Sequence, residues 1–138
     1  MRAHRTETRA RARALQLLYA REATGRPLET LMGGLFRLIR PDLAMLDAAE
    51  RLAGGVVSDL AAIDRVCTEA SDHWRLDRLG VVERNILRLG VHELRVGTVP
   101  PRVVIDEALH LAHRFGGHAS AAFVNGVLDR AARILGRL

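Results

Sequence analysis

Residues 81–95 read VVERNILRLGVHELR, and this stretch decides the fold class. Val82, Ile86, Leu89 and Val91 recur at helical spacing, while Glu83, Arg84 and Arg88 fall outside that stripe. At about 100° per residue this is the pattern of an amphipathic helix, not the alternation of a half-buried strand. Gly97 and the pair Pro100-Pro101 mark its end. The glycine accepts a left-handed backbone, and proline cannot continue the hydrogen-bond ladder.

The same period extends in both directions. Towards the amino terminus, a helix is expected from Thr6 or Thr8 to about Ala23, before Gly25 and Pro27. Ala10, Ala14, Leu17 and Leu18 form one stripe on it, and Arg5, Arg9, Arg13 and Gln16 form another. Arg11 falls near the apolar face, where a long side chain can snorkel or reach a second surface. A shorter helix over about Leu28 to Ile39 follows, closely packed or interrupted at Gly33-Gly34 and ended by Pro41. One long periodic stretch then runs from about Leu43 to Ala70 through Leu46, Leu52, Val56, Leu60, Ile63 and Cys67. Gly54-Gly55 lies inside it, as a place for a bend or for the close approach of another helix.

Asp72-His73-Trp74 opens a brief turn or short helix that contains Leu76. Beyond Pro101, which suits a first helical turn, a helix carries Val104, Ile105, Ala108, Leu109, Ala112 and Phe115 inward and stops at Gly116-Gly117. Ser120 is the expected cap of the last helix, which buries Phe123, Val124, Val127, Leu128 and Leu135. The fold expected is all-α, six or seven helices in two small packed bundles. It forms a single domain with an amino-terminal subdomain over about 1–75 and a carboxy-terminal one over about 76–138.

Composition agrees. In 138 residues the hydrophobic fraction is 49%, enough for one core and too much for a disordered chain. No apolar run approaches the roughly 18 residues that cross a bilayer. The Leu15–Tyr19 patch after the basic amino terminus is short and broken by Gln16, so it reads as amphipathic helix rather than signal peptide. A cytoplasmic protein without membrane partners is expected. Cys67 is the sole cysteine, which fits a buried thiol in a reducing compartment.

Charge is unevenly placed. Residues 1–21 hold six arginines against Glu7 alone, a net +5, while the remaining 15 arginines and 15 acids cancel. The chain has no lysine. A concentrated run of arginines is the electrostatic footprint of a polyanion partner, and guanidinium meets phosphate in bidentate fashion. A solvated helix face is the plainer alternative.

Catalytic constellations are not found. His110 and His113 stand one turn apart, but His118 lies beyond two glycines and no cysteine completes a ligand set. Glu69 and His73 fit an ordinary helix-end pair, and Asp42, Asp47, Glu50, Asp106 and Glu107 show no paired spacing. There is no phosphate-binding glycine loop and no nucleophile elbow. The expectation is a binding protein with no catalytic residue, no metal and no cofactor.

Three segments together resemble the transcription antitermination factor NusB family. The first is Arg11-Ala12-Arg13-Ala14-Leu15-Gln16-Leu17-Leu18-Tyr19. The second is Trp74, Arg78-Leu79 and Glu83-Arg84-Asn85-Ile86-Leu87-Arg88-Leu89-Gly90-Val91-His92-Glu93-Leu94. The third joins Pro100-Pro101 and Val104-Ile105-Asp106-Glu107-Ala108 to Phe123-Val124-Asn125-Gly126-Val127-Leu128-Asp129. They occur in family order over essentially the whole chain.

The resemblance implies an all-helical protein that binds a single-stranded RNA element of leader transcripts. It implies ribosomal protein S10 as partner, within a complex that keeps RNA polymerase elongating. The fold also precedes a catalytic domain in some ribosomal RNA methyltransferases, for which 138 residues leave no room. By carry-over, Arg5, Arg9 and Arg13 are candidate RNA contacts, with Phe123 at the start of the last helix; for Phe123 a core role is equally open. Glu83, Arg84 and Arg88 are the candidate S10 face. Two departures stand out: Ala121-Ala122 precedes Phe123 where the family often has a basic residue, and Asp106 stands where asparagine is common. Asn125-Gly126 suits local packing better than direct binding. The alternative function is a non-catalytic protein-interaction adaptor without a specific RNA. A homodimer is compatible with the pattern, since an inward stripe and a subunit seam look alike.

Overall fold

A computed structural model of the chain describes residues 2–32, 42–72 and 76–138; the side chains of residues 2–5 and of His118 are outside that description. Gly33-Gly34, Pro41, His73 and Trp74, with most of the helix expected after Leu28, therefore lie outside the described residues. Helix α1 spans Arg2–Thr24 and is followed by a helical turn at 28–32. Then come α2 (Leu43–Ser58), α3 (Leu60–Ala70), a 3-10 turn (Leu76–Arg78), α4 (Val81–Val96) and α5 (Pro101–Leu111). A π-helical turn (Ala112–Gly116) leads into α6 (His118–Ile134). No strand occurs among the described residues. The all-helical reading holds.

Helix α4 is the axis of the molecule. It packs against α1, α2, α3, α5 and α6, so every residue from Asn85 to Val91 is buried. Ile86, Leu87 and Val91 are fully enclosed; burying such a side chain stabilises the fold by about 1.5–3 kcal/mol. The main core runs from Ala12 on α1 to Ala132 on α6. A smaller cluster of Ala10, Met45, Leu46 and Ala49 joins α1 to α2.

Three local expectations need correction. The stretch 43–70 is broken into two helices at Asp59 (φ −117°, ψ 27°), not at Gly54-Gly55. Ser58 donates its hydroxyl to the Gly54 carbonyl at 2.6 Å, and such back-bonding bends a helix. Gly55 instead admits the His92 ring, which a Cβ at this position would strike.

The second correction concerns the end of α5. The α-helical ladder stops at Leu111, and the π turn adds a residue before Gly116. That extra residue turns Phe115 away from the inward stripe and leaves it at the surface. The third concerns Ser120. It is not the cap of α6: Gly117 occupies that position at φ +91°, a backbone conformation that disfavours any side chain. Ser120 lies within the first turn, buried, with its Oγ 2.5 Å from Glu83 Oε1 and 2.9 Å from the Gly116 carbonyl.

Candidate nucleic-acid interface

The apolar stripe of α1 is buried as its period requires: Ala10, Ala14, Leu15, Leu17 and Leu18 all lie in the interior. The opposite stripe faces solvent. Arg9 is half exposed, with Nη1 at 3.4 Å from Asp42 Oδ2, a separation and exposure at which an ion pair is worth at most about 1 kcal/mol. Arg13 donates to Gln16 Oε1 at 2.6 Å, at the surface. The backbone of Arg5 belongs to α1, but its side chain lies outside the described residues.

Arg11 does not join this face. It is 4% exposed, and its Nε and Nη2 grip Glu93 at 2.9 and 2.8 Å. Its Nη1 lies 3.8 Å from Glu107 Oε1, which accepts the Thr8 hydroxyl at 2.8 Å. Burial works against the Arg11 charge, yet the hydrogen bonds and the field of Glu93, with Glu107, hold its pKa above the ordinary value. One of the six early arginines is thus an internal tie between α1, α4 and α5.

The exposed stripe leads into a cleft. Leu15, Gln16 and Tyr19 of α1 form one wall, with Val82 of α4 and Phe115 of the π turn across from them, around about 250 Å³. Tyr19 is 48% exposed and Phe115 36%. Arg114 lies over the Phe115 ring, 4.9 Å from its centroid. Sequence reading placed none of the three at a site, and it put Phe115 on the inward stripe. Tyr19 was within reach, because it continues the Arg9, Arg13, Gln16 spacing by one further turn. Phe115 was not, because only the π turn brings it outward.

Phe123 is half-buried and packs against the main core. Asn125 and Gly126 are exposed, as is Ala122.

The other expected face turns inward. Arg88 is 8% exposed; its Nε and Nη2 hold Asp64 at 2.8 and 3.0 Å, and Nη1 holds Glu22 at 2.6 Å. Arg84 binds the same Glu22 carboxylate and donates from Nη1 to the carbonyls of Leu76 and Leu79, both at 2.9 Å. Asn85 adds a bond to Glu22 at 3.2 Å. The Arg84 hydrogen bond, against the opposing effect of burial, draws the Glu22 carboxyl below its usual range. Arg84 and Arg88 therefore fasten α1 and α3 to α4; they are not the outward charges that an apolar stripe on one face suggested. The reason is that α4 is covered on all sides. Glu83 is half-buried and shares a hydrogen bond with Ser120.

Among the described residues no cluster of three or more His, Cys, Asp or Glu side chains could hold a metal ion. None of the described helices is long and apolar enough to cross a membrane. Cys67 is enclosed, and burial pushes its thiol up to about 12.

Comparison with known proteins gives one consistent answer. The NusB family model matches residues 8–133. The chain is 45% identical over 129 residues to the transcription antitermination protein NusB of Sorangium cellulosum, covering 93% of this chain and 92% of that protein. The solved structure of T. maritima NusB superposes with a TM-score of 0.81 at 35% identity, covering 92% of this chain and 90% of that one. A crystal structure of the antitermination factors NusB and NusE in complex with double-stranded RNA aligns with a TM-score of 0.84 at 29% identity, covering 94% and 98%. A family match spanning nearly the whole chain, together with this level of identity and a shared fold, makes this protein a member of the NusB family of transcription antitermination proteins.

Proposed function

We propose that this protein binds single-stranded RNA along the outer face of α1 and acts in antitermination together with ribosomal protein S10. The observation that carries the reading is the continuity of Arg9, Arg13 and Gln16 with the Tyr19–Phe115 cleft. Guanidinium groups hold a phosphate backbone, and an aromatic cleft accepts an unstacked base. Arg5 extends the same stripe by one turn. Phe123 serves the core first, and any RNA contact it makes is through an exposed edge.

The related NusB–NusE crystal structure contains RNA described as double-stranded. For this chain an unpaired strand is the better fit, because only an unpaired base exposes a face for Tyr19 and Phe115. NusE, the S10 partner of the family, accompanies NusB in that complex. Within the trio expected at the S10 face, Glu83 is the remaining contact, since Arg84 and Arg88 are committed internally. Action within the transcription elongation complex places the protein in the cytoplasm.

The arginine face gathers phosphates but reads base order poorly, so S10 supplies selectivity. The test is one binding cycle, with the antitermination element and a scrambled strand of equal length, each with and without S10. Binding alone is salt-sensitive and weakly selective; with S10 it tightens and discriminates. By linkage, RNA raises S10 affinity by the same factor, with a coupling of about 1–3 kcal/mol. Binding of neither RNA under either condition favours the protein-interaction adaptor instead.

A further inference from the structure

Each wall of the Tyr19–Phe115 cleft carries one cation. On the α1 wall, Arg13 is bonded to Gln16, which lines the cleft. On the facing wall, Arg114 covers the Phe115 ring. Arg114 is exposed, and among the described residues it makes no ion pair. A cation–π contact leaves a five-donor guanidinium with N–H groups for another acceptor. The start of α6 beside it, Ala121-Ala122, brings no charge of its own.

The cleft lining is mostly apolar: the side chains of Leu15 and Val82 line it together with the two rings. A flat, uncharged heteroaromatic group suits such a lining. A carboxylate side chain does not, since it would lose its hydration against a lining that includes neither arginine. The position of Arg114 follows from the π turn. Were α5 to continue as regular helix, Phe115 would stay on the inward stripe and residue 114 would be turned with it.

We propose that Arg114 is the second phosphate-holding group of a base clamp. An unpaired base enters the cleft, the phosphate on one side of it meets Arg13, and the phosphate on the other meets Arg114. The Phe115 ring orients Arg114 and forms a stacking wall. The proposal rests on the RNA-binding reading above and adds to it a residue outside the α1 stripe.

The test uses the full chain and a labelled single-stranded RNA of about a dozen nucleotides, a length within the range such surfaces occupy. One phosphate contact on a single strand contributes a salt slope of about 0.7, or roughly fivefold in affinity near 0.1 M salt relative to 1 M. Arg114→Ala therefore weakens binding roughly fivefold near 0.1 M salt and flattens the slope by about 0.7, with helicity unchanged. Arg114→Lys keeps the slope and loses part of the affinity. Phe115→Ala weakens binding to the intact strand more than to a strand of abasic residues, where only the orientation of Arg114 is lost. Should Arg9→Ala/Arg13→Ala abolish binding while Arg114→Ala changes neither affinity nor slope, the clamp is wrong and the α1 surface stands. Should none of these variants alter binding, both fall. A polyglutamate peptide that binds as tightly as RNA, and that loses affinity with Arg114→Ala, overturns the assignment to a nucleic acid.

Discussion

Glu22, near the end of α1, accepts a hydrogen bond from Arg88 on α4 across 2.6 Å, and the two residues are 66 positions apart in sequence. The same arginine holds Asp64 on α3 through two bonds. A single guanidinium thus joins three helices. Removing it leaves Asp64 without its cation and Glu22 with Arg84 alone, in a partly buried site. Arg88→Ala is expected to lower the unfolding free energy by about 3–5 kcal/mol, the usual cost of breaking a buried pair on one side. Urea denaturation measures it. A change below about 1 kcal/mol would place the network among solvated surface pairs instead.

His92 gives the fold a sensitivity to mild acid. Its ring is half-buried against Gly55, and burial lowers its pKa below the ordinary value of 6.5. The unfolded chain then binds the proton more readily, so stability is present above about pH 6.5 and is lost as the pH falls towards the folded pKa. The thermal midpoint of the parent should drop between about pH 7 and pH 5, and His92→Gln should flatten that drop. Loss arising from Glu22 comes at lower pH, because that carboxyl titrates below its ordinary 4.5. Identical pH profiles for variant and parent above about pH 5 would remove His92 from the account.

Asp42 has two jobs that one substitution separates. Its Oδ1 caps α2 by accepting from the Met45 amide at 3.2 Å, and its Oδ2 faces Arg9. Asn caps a helix as well as Asp does but carries no charge to compete with phosphate. Asp42→Asn should leave the melting temperature nearly unchanged and tighten RNA binding a few-fold at low salt. Asp42→Ala should cost about 1 kcal/mol of stability. Weaker RNA binding by a folded Asp42→Asn protein contradicts the placement of the strand beside Arg9.

How far the sequence led depends on which residues are asked. The helices were legible because Val82, Ile86, Leu89 and their counterparts repeat at the helical period. Periodicity also sorts charge outward by default, and that is where it failed. Arg84 and Arg88 sit outside the apolar stripe, yet Arg88 is buried and Arg84 largely so, because Glu22 and Asp64 come to them from distant parts of the chain. Nothing local announces such a pairing. Arg11 was marked by its place near the apolar face, but its partner Glu93 is 82 residues away. Phe115 was read as core for a different reason: the π turn breaks the period on which the reading depended. The surface position of Arg9 and Arg13 on α1 was readable, since charge and period agree there.

The proposed RNA binding by this protein depends most directly on the arginine stripe of α1. Replacing Arg5, Arg9 and Arg13 together by alanine removes the arginines of this stripe and leaves Arg11 and the core untouched. The measurement is the affinity of this triple variant for single-stranded RNA across a salt series, with circular dichroism to establish that it is folded. Three lost phosphate contacts should flatten the salt slope by about 2 and weaken binding roughly a hundredfold near 0.1 M salt. A folded triple variant that binds RNA with the affinity and salt slope of the parent would contradict the central claim.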